Sequence, residues 1–425
     1  MNIFNKFKLG LSKSSKNLSS GLNNLIFKRK IDFQNSQGSY LVDKDSGEKY
    51  LDLFGQYATL AIGYNHPIFK SKNYLDEIQR VAHQKITNCE ILSDESAEFD
   101  EKFRKFTSKG LFSHYHYTCT GALAIEAAIK TAMDYKGTDH KRVISFKCSF
   151  HGINGYGGMY TDRFEPVNQR LKGFPRSQWE PLDNPVIEYE DGVPVNDEGR
   201  VKKVLSILEK ILAGDVKVCA ILIEPIQCTF GDRYFPNSFF IGVRQLATQY
   251  DIPLIFDEIQ IGFGGTGKLW YYEHLPIEPD IIVFGKKTQL SGIAVQENFS
   301  TIFNKAIRLE VTWDADIMDM IRCKYIMQVY ADSYVLNNVI GMADRLKTGI
   351  LNIPGIINVR NCGLIFGFDF AESTQRDKFF EILTDNNMLC NPTRDKTIRL
   401  RPNLLVTSEE IDHALSIMNT AANKL

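Results

Sequence analysis

The sequence predicts an α/β protein: a large domain built on a mostly parallel sheet, joined to a smaller α+β domain. Three observations lead there. Uninterrupted apolar runs at 219–223, 253–256 and 281–284 have the length and composition of strands buried on both faces. Between them, segments with apolar residues at helical spacing supply the crossovers that parallel strands require. After Trp313 this alternation gives way to one long helical pattern followed by shorter strands, which marks a second unit.

In chain order, 38–43 and 50–53 read as a small hairpin across the turn formers Lys44-Asp45-Ser46-Gly47. Residues 123–135 have the apolar spacing of a helix, and 143–146 read as a core strand. The stretch 183–198, rich in Pro, Asp, Glu and Gly, reads as an exposed insertion. Helical spacing returns at 201–212 and 240–250, each leading into one of the buried runs. Beyond Trp313, 316–346 reads as one long helix, and 357–359, 364–368 and 397–400 as strands. No internal repeat is visible.

Composition narrows the function. A chain of 425 residues, 44% hydrophobic and 24% charged, is long enough for a large core divided between domains. Its net charge of -1, without basic-aromatic clusters, argues against nucleic acid as a partner. The 8 cysteines form no Cys-x-x-Cys pair and have no histidines at metal-ligand spacing, so neither a metal site nor a disulfide framework is expected. No apolar run approaches the ~18 residues of a membrane span. The first thirty residues carry Lys6, Lys8, Lys13, Lys16, Lys28, Arg29 and Lys30 without an acid, a composition shared by organellar transit peptides. With a single arginine, and with Ile3, Phe4, Phe7, Leu9 and Leu11 able to pack on a dimer partner, a cytoplasmic protein with a basic arm is expected instead.

The chemistry is written at two strand ends. Asp257 follows the run 254–256, and a lysine pair, Lys286-Lys287, follows 281–284. Pyridoxal phosphate needs a lysine amine to hold its aldehyde and a carboxylate to keep its pyridine nitrogen protonated. In open α/β sheets, ligands collect where parallel strands end. Taken singly, Asp257 could cap a turn and either lysine could be a solvated loop residue; periodicity does not choose between the two lysines.

The run Phe256-Asp257-Glu258-Ile259-Gln260-Ile261-Gly262-Phe263-Gly264-Gly265-Thr266-Gly267-Lys268-Leu269-Trp270, with Pro279-Asp280-Ile281 after it, resembles the signature of the class III, or ω-amino acid, aminotransferases. Phe284-Gly285-Lys286-Lys287-Thr288-Gln289 resembles the lysine 6-transaminase branch, and the likeness extends from about Gly38 to Thr407. It implies the pyridoxal phosphate-dependent transferase fold type I, with 1–60 and 311–425 in the small domain and 61–310 in the large one. It implies Lys286, counted from Pro279-Asp280, as the lysine that holds the cofactor. Gly121 and Ala122, after Thr120 at a helix start, would bind the phosphate through backbone N–H groups, helped by the helix dipole. Thr312, in Val311-Thr312-Trp313, would reach the phosphate of the other subunit, implying a homodimer. Phe150, in Phe150-His151-Gly152, would stack on the cofactor ring, with His151 beside it and Ile259 on the opposite face. Glu224 would belong to the surroundings of Asp257 and Lys286, and Gln260 would lie near the phenolic oxygen. Arg401, in Arg399-Leu400-Arg401-Pro402, would grip the carboxylate of 2-oxoglutarate.

Departures from that branch concern the substrate. Ile153 stands where an arginine would hold a substrate carboxylate, and Thr229 where a glutamate would cover the small-domain arginine. Trp313-Asp314-Ala315-Asp316 replaces Trp-Gly-Gly-Asn, and Gln56-Tyr57 replaces an aromatic pair at the entrance. Asp314 would bring negative charge near the phosphate unless it points away; with Asp316 at the entrance it would favour a cationic amine, and Arg394 is an additional positive charge that could substitute for the missing arginine. The expectation is an aminotransferase taking a terminal amino group from lysine or a lysine-like or lysine-derived amine. The alternatives are a decarboxylase, racemase or aminomutase on the same cofactor, or an inactive relative.

Overall fold

The structure is a computed structural model that describes residues 29–88, 90–137, 139–162, 173–190, 192–332 and 334–425. The basic arm at 1–28 lies outside the described residues. At the centre is a six-stranded sheet, in the order His114–Thr118, Ser291–Val295, Ile281–Phe284, Leu254–Asp257, Val218–Ile223, Arg142–Ile144. Ile281–Phe284, Leu254–Asp257, Val218–Ile223 and Arg142–Ile144 pair in parallel, while Ser291–Val295 runs against both of its neighbours. Leu254, Ile255, Phe256, Ile281, Ile282 and Val283 are fully buried, as continuous apolar strands covered on both faces must be.

The helix Gly121–Lys136 lies across this sheet. Ala124, Ala128 and Ala132 are buried, and these small side chains let its backbone approach the strands while Ile125 and Ile129 fill the gaps. The crossover helices Glu198–Leu212 and Asn237–Gln249 bury Val201, Val204, Leu208, Phe239, Phe240 and Val243 against the sheet.

A second, antiparallel sheet has the order Ile357–Cys362, Ile365–Asp369, Thr397–Leu400, Asn391–Thr393. The helix Ser373–Asp385 packs with it, and Ser408–Ala422 packs on that helix and on Val335–Leu351. The N-terminal hairpin, Tyr40–Val42 with Lys49–Asp52, is completed by Met388–Leu389, which pairs in parallel with Lys49–Asp52.

Two elements differ from the expectation. The pattern at 316–346 is two helices, Ile317–Asp332 and Val335–Leu351, separated at Tyr334, whose φ of 48° and ψ of 36° are left-handed. Apolar spacing runs through that break with neither glycine nor proline to mark it. The stretch 183–198 is only partly an exposed insertion: Glu188–Glu190 and Val193–Val195 form a hairpin, but Asn184 and Val186 before it are buried. Asn184 Nδ2 donates to Gln227 Oε1 at 3.0 Å and to the Lys147 carbonyl at 3.0 Å, which ties the segment to the body.

Candidate active site

Strand register sets the site. Ile223 lies opposite Phe256, and Asp257 opposite Val283, so these parallel strands end level with one another. Glu224, Asp257 and Lys286 therefore emerge along one edge of the sheet. There they line a cavity of about 290 Å³, together with Gly121 and Ala122 from the helix start and Phe150, His151 and Ile153 from the loop after Arg142–Ile144. Ile259 and Gln260 complete the wall.

Asp257 is 6% exposed and held from two sides. His151 Nδ1 donates to its Oδ2 at 2.9 Å, and the Ile259 N–H to its Oδ1 at 3.2 Å. His151 is buried, its own N–H donates to Thr161 Oγ1 at 2.8 Å, and its Nε2 has no hydrogen-bond partner among the described residues. His151 thus orients the carboxylate while also lining the cavity, a pairing that no local spacing announces across 106 positions. Glu224 accepts the Phe150 N–H at 3.0 Å and the Cys228 N–H at 2.9 Å. Burial, then the Asp257 charge, pushes its carboxyl up to about 8 against those two hydrogen bonds.

The two lysines part company in a 3₁₀ turn, Lys286–Thr288, entered with Lys286 at φ 58°. Lys286 faces the cavity, whereas Lys287 is 2% exposed and donates from Nζ to the Gln260 carbonyl at 2.8 Å. Burial lowers the Lys286 amine to about 8, with the guanidinium charges of Arg399 and Arg401 acting in the same direction. An amine that is in part neutral near pH 7 can attack a carbonyl.

At the helix start, Thr120 Oγ1 accepts the Leu123 N–H at 3.4 Å. A Cβ on Gly121 would stand 2.9 Å from Ile259 Cδ1, so the helix start and the opposite wall lie close together. The residues fit pyridoxal phosphate: a helix N-terminus for the phosphate, Phe150 and Ile259 as apolar walls for the ring, Asp257 for the ring nitrogen, Lys286 for the aldehyde.

Other expected residues lie elsewhere. Thr312 is exposed, beside Val311 and Trp313, which are 43% and 56% exposed, and it does not line the cavity of its own chain. Asp314 and Asp316 do not line the cavity either. Asp314 is buried, accepts the Val311 N–H at 2.8 Å and stands 3.2 Å from His116 Nε2, while Asp316 pairs with Lys85 at 3.3 Å. Within its own chain, Asp314 is thus turned inward and Asp316 is paired with Lys85. Gln56 and Tyr57 line a different cavity, of about 760 Å³. They sit in a run of left-handed residues, Gly55 to Ala58, where a Cβ on Gly55 would collide with the Arg401 carbonyl oxygen. Arg394 is exposed and stacks on Phe230, 4.3 Å from the ring centroid. Thr229 is outside the lining, and its carbonyl accepts the Thr393 hydroxyl at 2.7 Å.

Arg401 requires the largest correction. It is buried and paired through both terminal nitrogens with the buried Asp232, one contact being 2.9 Å. It also donates to the Phe366 carbonyl at 3.1 Å. The expectation of an arginine left uncovered by the glutamate-to-Thr229 change therefore fails: another carboxylate, three positions further on, already holds it. Arg399, which the sequence reading passed over, donates to the Cys228 carbonyl and, at 3.4 Å, to the cavity residue Gln260. Because Arg401 would be left as an uncompensated buried charge, Asp232→Ala is expected to cost ~3–5 kcal/mol of stability in chemical denaturation. A change within ~0.5 kcal/mol would show the pair to be dispensable.

The model of the aminotransferase class-III family matches residues 26–422. The L-lysine-epsilon aminotransferase of Mycobacterium tuberculosis is 29% identical over 411 residues, 92% of this chain and 91% of the relative. The 4-aminobutyrate aminotransferase of Schizosaccharomyces pombe is 31% identical over 418 residues, 88% and 85% of the two chains. Among solved structures, lysine aminotransferase from M. tuberculosis in the internal aldimine form superposes with a TM-score of 0.87 at 30% identity, covering 93% of this chain and 95% of that one.

Proposed function

The chain belongs to the class-III aminotransferase family, and on that footing we propose that it transfers the terminal amino group of lysine, or of a lysine-like or lysine-derived amine, to 2-oxoglutarate, as a cytoplasmic homodimer. It is a pyridoxal phosphate-dependent enzyme of fold type I. Among the described residues no helix is long and apolar enough to cross a membrane. The observation that carries the proposal is the facing of Lys286 and Asp257 across one cavity under a helix N-terminus.

When bound, the cofactor supplies an electron sink that stabilises the carbanion left when the substrate carbon loses its proton. The chain supplies the rest. Lys286, released by the incoming amine, takes the proton from the substrate carbon and returns it to the carbon that receives the amino group. Asp257, steadied by His151 and the Ile259 N–H, keeps a negative charge at the ring nitrogen. Phe150 and Ile259 would pack on the two faces of the ring, and the N–H groups of Gly121 and Ala122 would hold the phosphate, with Thr312 of the second subunit adding to that hold. Because Arg401 is taken by Asp232, Arg399 is the better candidate to receive the carboxylate of the keto acid, through the Gln260 side of the cavity.

The donor is the open part of the specificity. Ile153 lines the cavity and is 61% exposed, so the position expected to carry an arginine offers an apolar surface. L-lysine is therefore expected to be a poorer donor than a terminal amine whose distal end is apolar or lacks a carboxylate. A carboxylate set against that apolar surface gains no ion pair, and ~1.4 kcal/mol of lost interaction is already tenfold in rate. Half-reaction rates for L-lysine, its decarboxylated diamine and longer terminal amines measure this directly. A wide advantage for L-lysine would mean that another cation, such as Arg394, binds the carboxylate.

The general test is to mix holoenzyme with a panel of amines and follow the loss of the cofactor's visible absorption, then its return on adding 2-oxoglutarate. Turnover of the amine without any keto acid, and without lasting loss of that absorption, would favour a decarboxylase, racemase or aminomutase. The lowered amine of Lys286 adds a pH dependence. Since only the neutral amine captures the aldehyde, reloading of cofactor-free protein is expected to speed up as pH rises towards about 8 and to level off above it. A flat profile between pH 6 and 9 would contradict that assignment.

A further inference from the structure

A third cavity, of about 900 Å³, lies at the other end of the helix Gly121–Lys136 and plays no part in the chemistry above. About 12 Å of helix separates Ala122, at the catalytic cavity, from Lys130, at this one. Both the volume and the mixture of surfaces match those of small-molecule sites.

Charge is concentrated here out of proportion to the chain. The net charge of the whole sequence is -1, yet Lys130, Lys141, Arg176, Lys305 and Arg308 line this one cavity against a single carboxylate, Asp134, among the described residues. Asp134 is already engaged: Lys305 Nζ lies 2.8 Å from each of its oxygens, and the Thr301 hydroxyl donates to one of them at 2.9 Å. No ion pair engages Lys130, Lys141 or Arg176 among the described residues. The other surfaces are apolar and aromatic. Tyr160 and Ile302 are buried in the wall, and Trp179 has the Arg142 guanidinium 5.7 Å from its ring centroid. His140 adds a buried Nδ1 with no hydrogen-bond partner among the described residues.

We propose that this cavity binds an organic anion with a flat apolar body, of the nucleoside monophosphate class. Lys141, Arg176 and Arg308 take the phosphate, and the base lies against Trp179. A bare inorganic anion would leave the aromatic wall unused, and a neutral nucleoside would leave the cations unpaired. The site is separate from the aminotransferase reading, since none of these residues lines the catalytic cavity.

Isothermal titration of the holoenzyme with adenosine monophosphate, adenosine and inorganic phosphate at fixed ionic strength tests this, with the catalytic phosphate position already filled by the cofactor. The monophosphate is expected to saturate at one site per chain, at least tenfold tighter than either fragment. In the Lys141→Ala, Arg176→Ala double variant its affinity is expected to fall at least tenfold, while the cofactor's visible spectrum and the transamination rate are unchanged. An Arg308→Glu variant should give the same result by a single substitution. No saturable binding, binding indifferent to both variants, or phosphate binding as tightly as the monophosphate would each overturn the assignment. A failed aminotransferase assay beside intact nucleotide binding would count against the catalytic reading alone.

Discussion

Lys286→Ala is expected to abolish both the visible absorption of the bound cofactor and turnover, while Lys287→Ala leaves both largely in place. The difference follows from where a 3₁₀ turn sends two adjacent side chains. Lys286 enters the turn at φ 58° and faces the cavity, while Lys287 spends its amine on the Gln260 carbonyl. Removing the nucleophile deletes the covalent attachment and the proton carrier together, so the residual rate should be lower by many orders of magnitude. Removing Lys287 deletes one hydrogen bond to a backbone carbonyl, worth ~1 kcal/mol. Absorbance spectra of the two purified variants decide the matter within one experiment, and the reverse pattern would move the attachment point to Lys287.

Asp257→Ala is expected to slow proton transfer by roughly 10²–10³-fold or more, as does the loss of other preorganised charges aimed at a developing charge. The carboxylate is buried, held by His151 and the Ile259 N–H, and has no substitute at its position. Because Lys286 is untouched, this variant should keep a visible cofactor band. Its signature is therefore a coloured but slow enzyme, distinct from the colourless Lys286→Ala protein. Rapid mixing with an amine donor measures the step directly. Full speed in the variant would remove Asp257 from the catalytic machinery.

The sequence carried the parallel core well, because strands buried on both faces have to be continuous apolar runs. Three of them, 219–223, 253–256 and 281–284, lie within a residue of the strands in the structure. The two strands on the antiparallel side of that sheet were harder to read. His114–Thr118 mixes aromatic and polar residues, and Ser291–Val295 begins with Ser291-Gly292, so neither has the pattern of a core strand. The same applies to the break at Tyr334, which rests on the backbone angles of one residue rather than on composition. Around the site, motif spacing could nominate Asp257 and Lys286, since each follows its own strand. It could not foresee that Asp232 would hold Arg401, or that His151 would hold Asp257, because those partners meet only through the tertiary fold.

The strand Lys49–Asp52 takes a parallel partner, Met388–Leu389, that is more than three hundred residues downstream, and the Leu51 N–H donates to the Asn387 carbonyl at 2.8 Å. On a ribosome adding roughly 5–20 residues per second, the early hairpin waits tens of seconds for that partner to be made. Through that interval it presents an open hydrogen-bonding edge, the kind of surface on which nascent chains aggregate or recruit chaperones. Closure of the hairpin at 40–52 is therefore tied to synthesis of Met388–Leu389, and a chain cut short before Met388 would leave Lys49–Asp52 with no partner on that edge.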